Sequence, residues 1–146
     1  MKFLLSLLLA YSLQAAGFWT LTGLEKANIY VANKVDSLEK KSVTKIKQKI
    51  YSALDEIGVK TKMQDSPTLM LSLKEISNES MHYVYIKLAL GEEVQTLREE
   101  KNGAFALTYE SSDFIAVTSQ NLEKEILKSV DFLLVEFSEH FEDDKE

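Results

Sequence analysis

The sequence predicts an α+β fold, a two-layer sandwich in which two amphipathic helices cover one face of a mainly antiparallel sheet, in the order βαβββα. Three observations carry this prediction. Residues 81–90 alternate Val84, Ile86, Leu88 and Leu90 with Tyr83, Tyr85, Lys87 and Ala89, the period of a strand buried on one face. Residues 43–57 and 122–141 instead repeat apolar side chains every three or four positions, the period of a helix with one buried stripe. Strands and helices also interleave with only one proline and five glycines in the whole chain, so one sheet and two helices must bury their apolar faces against each other.

The first strand is expected over residues 28–33, where Ile29 and Val31 alternate with Tyr30 and Ala32. Asp36 or Ser37 offers an N-cap to the first helix, whose apolar face is Val43, Ile46, Ile50, Leu54 and Ile57, and Gly58 stands where a helix C-cap favours glycine. Asp65-Ser66-Pro67 reads as a turn, because proline cannot donate to a strand ladder. After it Leu69, Leu71 and Leu73 alternate with Met70, Ser72 and Lys74, and the loop Ser77-Asn78-Glu79-Ser80 leads into the strand of residues 81–90.

That strand is expected to run past Gly91 to about Arg98, turn at Lys101-Asn102-Gly103 and return through Phe105, Leu107, Tyr109, Ile115 and Val117. A two-residue Asn-Gly turn would pair Leu90 with Ile115 and Leu88 with Val117. The same register opposes Leu97 to Thr108, whereas a slip of one residue pairs Leu97 with Leu107. Because a one-residue slip exchanges the two faces, a bulge is expected near Gly91 or at Ser111-Ser112-Asp113. Thr118 or Ser119 then caps the last helix, with Glu123 and Glu125 at its positive end. Its stripe is Leu122, Ile126, Val130, Leu134, Phe137 and Phe141, widened by Leu127 and Leu133, and Glu142-Asp143-Asp144-Lys145-Glu146 reads as a solvated tail.

The helices should therefore cover Ile29, Val31, Leu69, Leu71, Leu73, Val84, Ile86 and Leu88. The opposite face inherits Tyr30, Met70, Ser72, Tyr83, Tyr85, Lys87 and Ala89.

At the N-terminus, Lys2 precedes the leucine-rich run Phe3 to Leu13 and the small-residue stretch Gln14-Ala15-Ala16-Gly17. This is the layout of a secretory signal peptide, with cleavage after Ala15 or Ala16. Residues 1–16 are thus expected to be the signal peptide and residues 17–146 a single domain, placed in the periplasm or secreted. The alternative is a retained inner-membrane anchor over residues 3–24, since no charge lies between Lys2 and Glu25. The chain has no cysteine, which removes thiol chemistry and a lipidated N-terminus.

Charge is split along the chain. Nine lysines face five acids over residues 16–62, and seven basic residues face eighteen acids over residues 63–146. A chain of net charge −6 is a poor partner for nucleic acid, whose affinity depends on neutralising phosphates. The lysine cluster Lys40, Lys41, Lys45, Lys47 and Lys49 could face an anionic membrane surface; pairing with the acidic last helix is the preferred reading.

The runs Thr68-Leu69-Met70-Leu71-Ser72-Leu73, His82-Tyr83-Val84-Tyr85-Ile86-Lys87-Leu88 and Phe132-Leu133-Leu134-Val135-Glu136-Phe137 resemble small exported envelope domains of the TolB N-terminal and transport-auxiliary lipoprotein type. Such domains run strands into a long closing helix. The resemblance covers about half the chain, lacks the cysteine that the lipoproteins modify, and implies an accessory role in an envelope assembly, without catalysis.

No Walker loop, dinucleotide fingerprint or zinc pattern occurs, so no cofactor or metal is expected. His82 and His140, the only two histidines, read as rim residues because zinc needs three or four converging ligands. Ser111-Ser112-Asp113 lacks the setting of a nucleophile elbow. A small carboxylate-dependent hydrolase is the second functional reading, and it requires Asp113, Glu110 and Glu92 to converge in a cleft. The first reading is a non-enzymatic binding or assembly protein of the bacterial cell envelope that meets its partner, another envelope protein or a second copy, through Tyr30, Met70, Tyr83 and Tyr85. The competing expectation is that residues 17–24, with Phe18 and Trp19, fold over those tyrosines. Mass spectrometry of protein recovered from cells should find a mature N-terminus at Ala16 or Gly17; intact Met1 in the membrane pellet would instead indicate the anchor.

Overall fold

The computed structural model describes residues 19–61, 67–78 and 80–145. The expected signal peptide and its cleavage site lie outside them, as does most of the Asp65-Ser66-Pro67 turn. The elements are β1 (Lys26–Lys34), α1 (Lys40–Glu56), β2 (Lys60–Thr61), β3 (Thr68–Ser77), β4 (His82–Gln95), β5 (Gly103–Val117) and α2 (Leu122–Asp143), the last entered through a 3₁₀ turn at Ser119–Asn121. The strands form one sheet in the order β2-β1-β3-β4-β5.

The fold is the expected α+β arrangement, with a mixed sheet. Its longest pairings, β3 with β4 and β4 with β5, are antiparallel. The first strand, however, runs parallel to both β2 and β3. A helix between two strands of one sheet returns the chain in its original direction, so α1 forms a crossover and not a hairpin. The two-residue β2 is too short to show alternation, and no sequence signal pointed to it.

The helix on this crossover starts later than expected. Its N-cap is Glu39, without a side-chain capping bond, and Asp36 and Ser37 form a turn before it. Val35 and Leu38 are buried in that connection, and their burial delays the helix beyond the polar pair. Its other end matches expectation. Gly58 adopts φ +80°, its N–H donates to the carbonyl of Asp55, and the Val59 N–H donates to the carbonyl of Leu54. This is a Schellman motif, in which glycine takes a left-handed conformation and the flanking apolar residues, here Leu54 and Val59, meet in the core.

The β4–β5 hairpin departs from the expected register. Leu90 lies opposite Tyr109, Val84 opposite Ile115, and Leu88 opposite Ser111. The register shifts between Leu90 and Gly91, leaving Thr108 as the extra residue of β5. A bulge does stand at Gly91, but the two-residue Asn-Gly turn does not form. The strands instead part after Gln95, the Thr96 N–H donates to the Asn102 carbonyl, and Lys101 is the residue with a positive φ. The charged run Arg98-Glu99-Glu100-Lys101 and the fully exposed Leu97 make the tip. A longer loop keeps those charges in water and pairs the apolar residues nearer the core.

The bulge also fixes Tyr109. One extra residue restores its side chain to the helix-covered face, where it is buried with its ring edge-on to Phe137 at 5.1 Å between centroids. On the opposite face Gly91 leaves room for the Phe105 ring; a Cβ there would stand 2.4 Å from it.

The core is built from one face of the sheet and from both helices. Leu69, Leu71, Leu73, Val84, Ile86, Leu88 and Leu90 meet Ile46, Ile50 and Leu54 of α1 and Leu122, Ile126, Val130, Leu133, Leu134, Phe137 and Phe141 of α2. Ile29 and Val31 pack against this cluster half-buried. The last helix continues to Asp143, so the acidic end is not wholly a free tail. Its Asp144 Oδ2 accepts the Leu21 N–H at 2.6 Å.

Ile86 and Val130 are both fully buried. Ile86→Asp or Val130→Asp is therefore expected to cost about 4 kcal/mol or more, because each puts an uncompensated charge in the core and removes packed volume. Circular dichroism and thermal melting should show the loss of the folded state.

Candidate functional site

The alternation of β4 assigns side chains to two faces, and each carries a candidate site. Odd-numbered residues of β4 point away from the helices. There Tyr83 stacks on Phe114 at 6.3 Å between centroids, and Lys87 bonds Glu110 at 3.1 Å. Tyr30, Tyr85, Phe105 and Phe114 are 58, 37, 64 and 62% exposed, with Met70 half-buried beside Gly91 and Phe105. Four of these six apolar residues were expected on this face. Phe105 and Phe114 were missed because the bulge changes which residues of β5 point outward on either side of Thr108.

Residues 19–24 do not cover this surface. Leu21 and Leu24 enter the core on the helix-covered face, and Trp19 packs against the same cluster. The Thr20 N–H donates to the carbonyl of Thr108 at 2.8 Å, and the Trp19 carbonyl accepts from His140 Nε2 at 3.4 Å. The bulge thus provides a free backbone acceptor that draws the N-terminal segment to the edge of β5, away from the tyrosines. Phe18 lies outside the described residues.

The carboxylates required for a hydrolase do not converge. Glu110 faces the open side and pairs with Lys87, while Asp113 faces the helices and accepts from Ser129 at 2.7 Å. Glu92 accepts from Thr108 at the bulge. Ser111 donates to Glu136 at 2.6 Å, and among the described residues no group of three or more His, Asp or Glu side chains is arranged to hold a metal ion.

A different constellation stands at the far end of the helix-covered face. His82, the first residue of β4, binds Glu75 of β3 through Nδ1 and Ser119 through Nε2, the latter at 2.7 Å from Oγ. The side chains of His82 and Glu75 are only 13 and 8% exposed, whereas Ser119 stands on the exposed 3₁₀ turn leading into α2. His82 is therefore no isolated rim residue. Glu75 and His82 flank the β3–β4 connection, Ser119 lies 37 residues beyond His82, and the β3–β4 pairing and the return of β5 bring the three together.

The lysine-bearing helix pairs with its acidic neighbour. Lys45 Nζ lies 3.0 Å from Glu123 and Lys49 Nζ 2.7 Å from Asp131, while Lys41 pairs with Glu39. The bond from Lys45 holds the Glu123 carboxyl below its usual range. The bond to Glu39 raises Lys41. Exposed pairs of this kind contribute little to stability, and they turn part of the positive charge inward. A groove of about 670 Å³ opens between the helices, bounded by Lys45, Lys49, Ala53, Asp131, Leu134 and Val135 among others. Among the described residues no helix is long and apolar enough to cross a membrane.

Burial pushes the Tyr109 phenol from 10.0 up to about 12, with the Glu136 carboxylate adding to the shift and the Ser111 hydroxyl nearby opposing it. The folded state thus favours the protonated phenol, and this contribution is complete below pH 10 and disappears between pH 10 and 12. It amounts to about 3 kcal/mol. Denaturant titrations at rising alkaline pH should show that loss, and Tyr109→Phe should remove this part of the pH dependence. No protein-family model matches the chain, and a comparison with the curated proteins finds no match to its sequence.

Proposed function

We propose that this protein is a binding or assembly module of the cell envelope, exported by its N-terminal leader, and that its partner docks on the open face of the sheet. The observation that carries the reading is the aromatic surface of Tyr30, Tyr83, Tyr85, Phe105 and Phe114 with Met70, which the described residues leave uncovered while residues 19–24 pack on the other side. Aromatic side chains and methionine are enriched at protein interfaces, where the aromatics bury large area at small entropic cost. Lys87 and Glu110 add a charged pair beside the aromatics. This gives the patch a polar rim that can orient a partner without carrying the affinity.

The resemblance to envelope accessory domains agrees with such a role, and the partner is an envelope protein or a second copy of the chain. No step of the reading uses nucleic acid, a metal or a cofactor. A membrane-surface role for the lysines is less favoured, since Lys45 and Lys49 are engaged with α2.

Replacing Tyr83 and Tyr85 together by serine tests the face directly. Stability should fall by less than about 2 kcal/mol, because the side chains project from the sheet and lose mainly cross-strand contacts. Copurification from gently solubilised envelope, or self-association by analytical ultracentrifugation, should be abolished, since central aromatic anchors are typically worth at least about 2 kcal/mol each. Unchanged partners would reject the face as the docking surface.

A further inference from the structure

We propose that Ser119 is a nucleophile activated by His82 and oriented through Glu75, able to accept an acyl group from a small ester. This goes beyond docking on the open face and concerns the opposite side of the sheet. The geometry is a hydrogen-bonded line. Glu75 binds His82 Nδ1, and His82 Nε2 lies 2.7 Å from Ser119 Oγ.

A serine hydroxyl is a weak nucleophile until a neighbouring base takes its proton as the bond forms, and an imidazole serves as that base only with its acceptor nitrogen facing the hydroxyl. Both ring nitrogens of His82 have partners. A carboxylate accepts and cannot donate, so Glu75 draws the imidazole proton to Nδ1. Nε2 is then the acceptor, and Ser119 supplies the proton it accepts. The same carboxylate, with its side chain 8% exposed, stabilises the imidazolium that forms when the proton moves.

The supports of the line are rigid and its end is open. Glu75 and His82 lie on adjacent paired strands, and Ser119 follows β5, which pairs with β4 up to His82 and Val117. Ser119 is exposed, so a reactant can reach Oγ while the base and its positioning residue stay shielded. The arrangement needs no contribution from Asp113, Glu110 or Glu92.

The reaction balances on these groups. Ser119 Oγ bonds to the carbonyl carbon of the ester, His82 Nε2 takes the hydroxyl proton, and the carbon–oxygen bond to the leaving alcohol breaks as His82 returns the proton to it. Water then attacks the acyl-serine with His82 again as base. Carboxylic acid leaves, and Oγ recovers its proton. The protein would be an acyl-serine hydrolase toward small esters, and Glu75 a positioning residue.

The test uses the full chain. A fluorophosphonate probe bonds its phosphorus to an activated serine and expels fluoride, and peptide mass spectrometry identifies the labelled residue. The expected result is labelling at Ser119 and not at Ser111 or Ser112, abolished there by Ser119→Ala and slowed roughly 100-fold or more by His82→Gln. Both variants are first checked for native circular dichroism. Glu75→Gln should slow labelling about tenfold or more and displace the far-downfield Nδ1 proton resonance of His82. p-Nitrophenyl acetate turnover should fall in parallel. Labelling of Ser119 no faster than that of Ser111 and Ser112, or an unchanged rate in a folded His82→Gln variant, would overturn the proposal while leaving the tyrosine face untouched.

Discussion

The pairing of β4 on both sides is the constraint from which the other features follow. A central strand whose even-numbered side chains are buried under two helices has no freedom to slip, because a shift of one residue would exchange Val84, Ile86 and Leu88 for Tyr83, Tyr85 and Lys87. With that alternation set, Tyr83 and Tyr85 must face away from the helices. His82 must face toward them, at the rim where the chain turns into α2. Both candidate sites are therefore consequences of one strand's register, placed on opposite sides of the same sheet.

At its other end β4 meets a different requirement. The tip of the hairpin is charged and the base apolar, and the bulge opposite Gly91 reconciles them by adding Thr108 to β5. Three effects follow. Tyr109 turns into the core against Phe137, Phe105 settles over Gly91, and the Thr108 carbonyl becomes the acceptor for Thr20. The last effect decides where the N-terminal segment goes. A backbone acceptor on the edge of β5 and a carboxylate on Asp144 hold residues 20 and 21 on the helix-covered side.

Local periodicity was enough to read most of the fold. The alternation of β4, the two helical stripes, the Gly58 cap and the need for a bulge near Gly91 all follow from neighbours a few residues apart. The hairpin register was not legible because it depended on where the turn fell, and Asn102-Gly103 is a strong local signal that the longer loop overrode. The parallel direction of β1 is set by α1 crossing over the sheet, and the two residues of β2 carry no period at all. The open aromatic face was legible at Tyr30, Met70, Tyr83 and Tyr85, but Phe105 and Phe114 needed the true register. The meeting of Glu75, His82 and Ser119 leaves no trace in spacing, because it arises from three strand ends and a turn.

The chain's two histidines stand at the two ends of α2. His82 binds the turn that leads into the helix, and His140 in its last turn reaches the carbonyl of Trp19, next to the bond between Asp144 and Leu21. A helix held only by its apolar stripe can fray from a terminus with little consequence for the rest of a domain. Here the terminal turns are fastened to the sheet on one side and to the N-terminal segment on the other. Opening the C-terminal end also frees Leu21 and exposes Tyr109, so the hydrogen-bonded amides of Thr20 and Leu21 and those of the last turns of α2 are expected to form one cooperative unit that loses its protection against hydrogen exchange together.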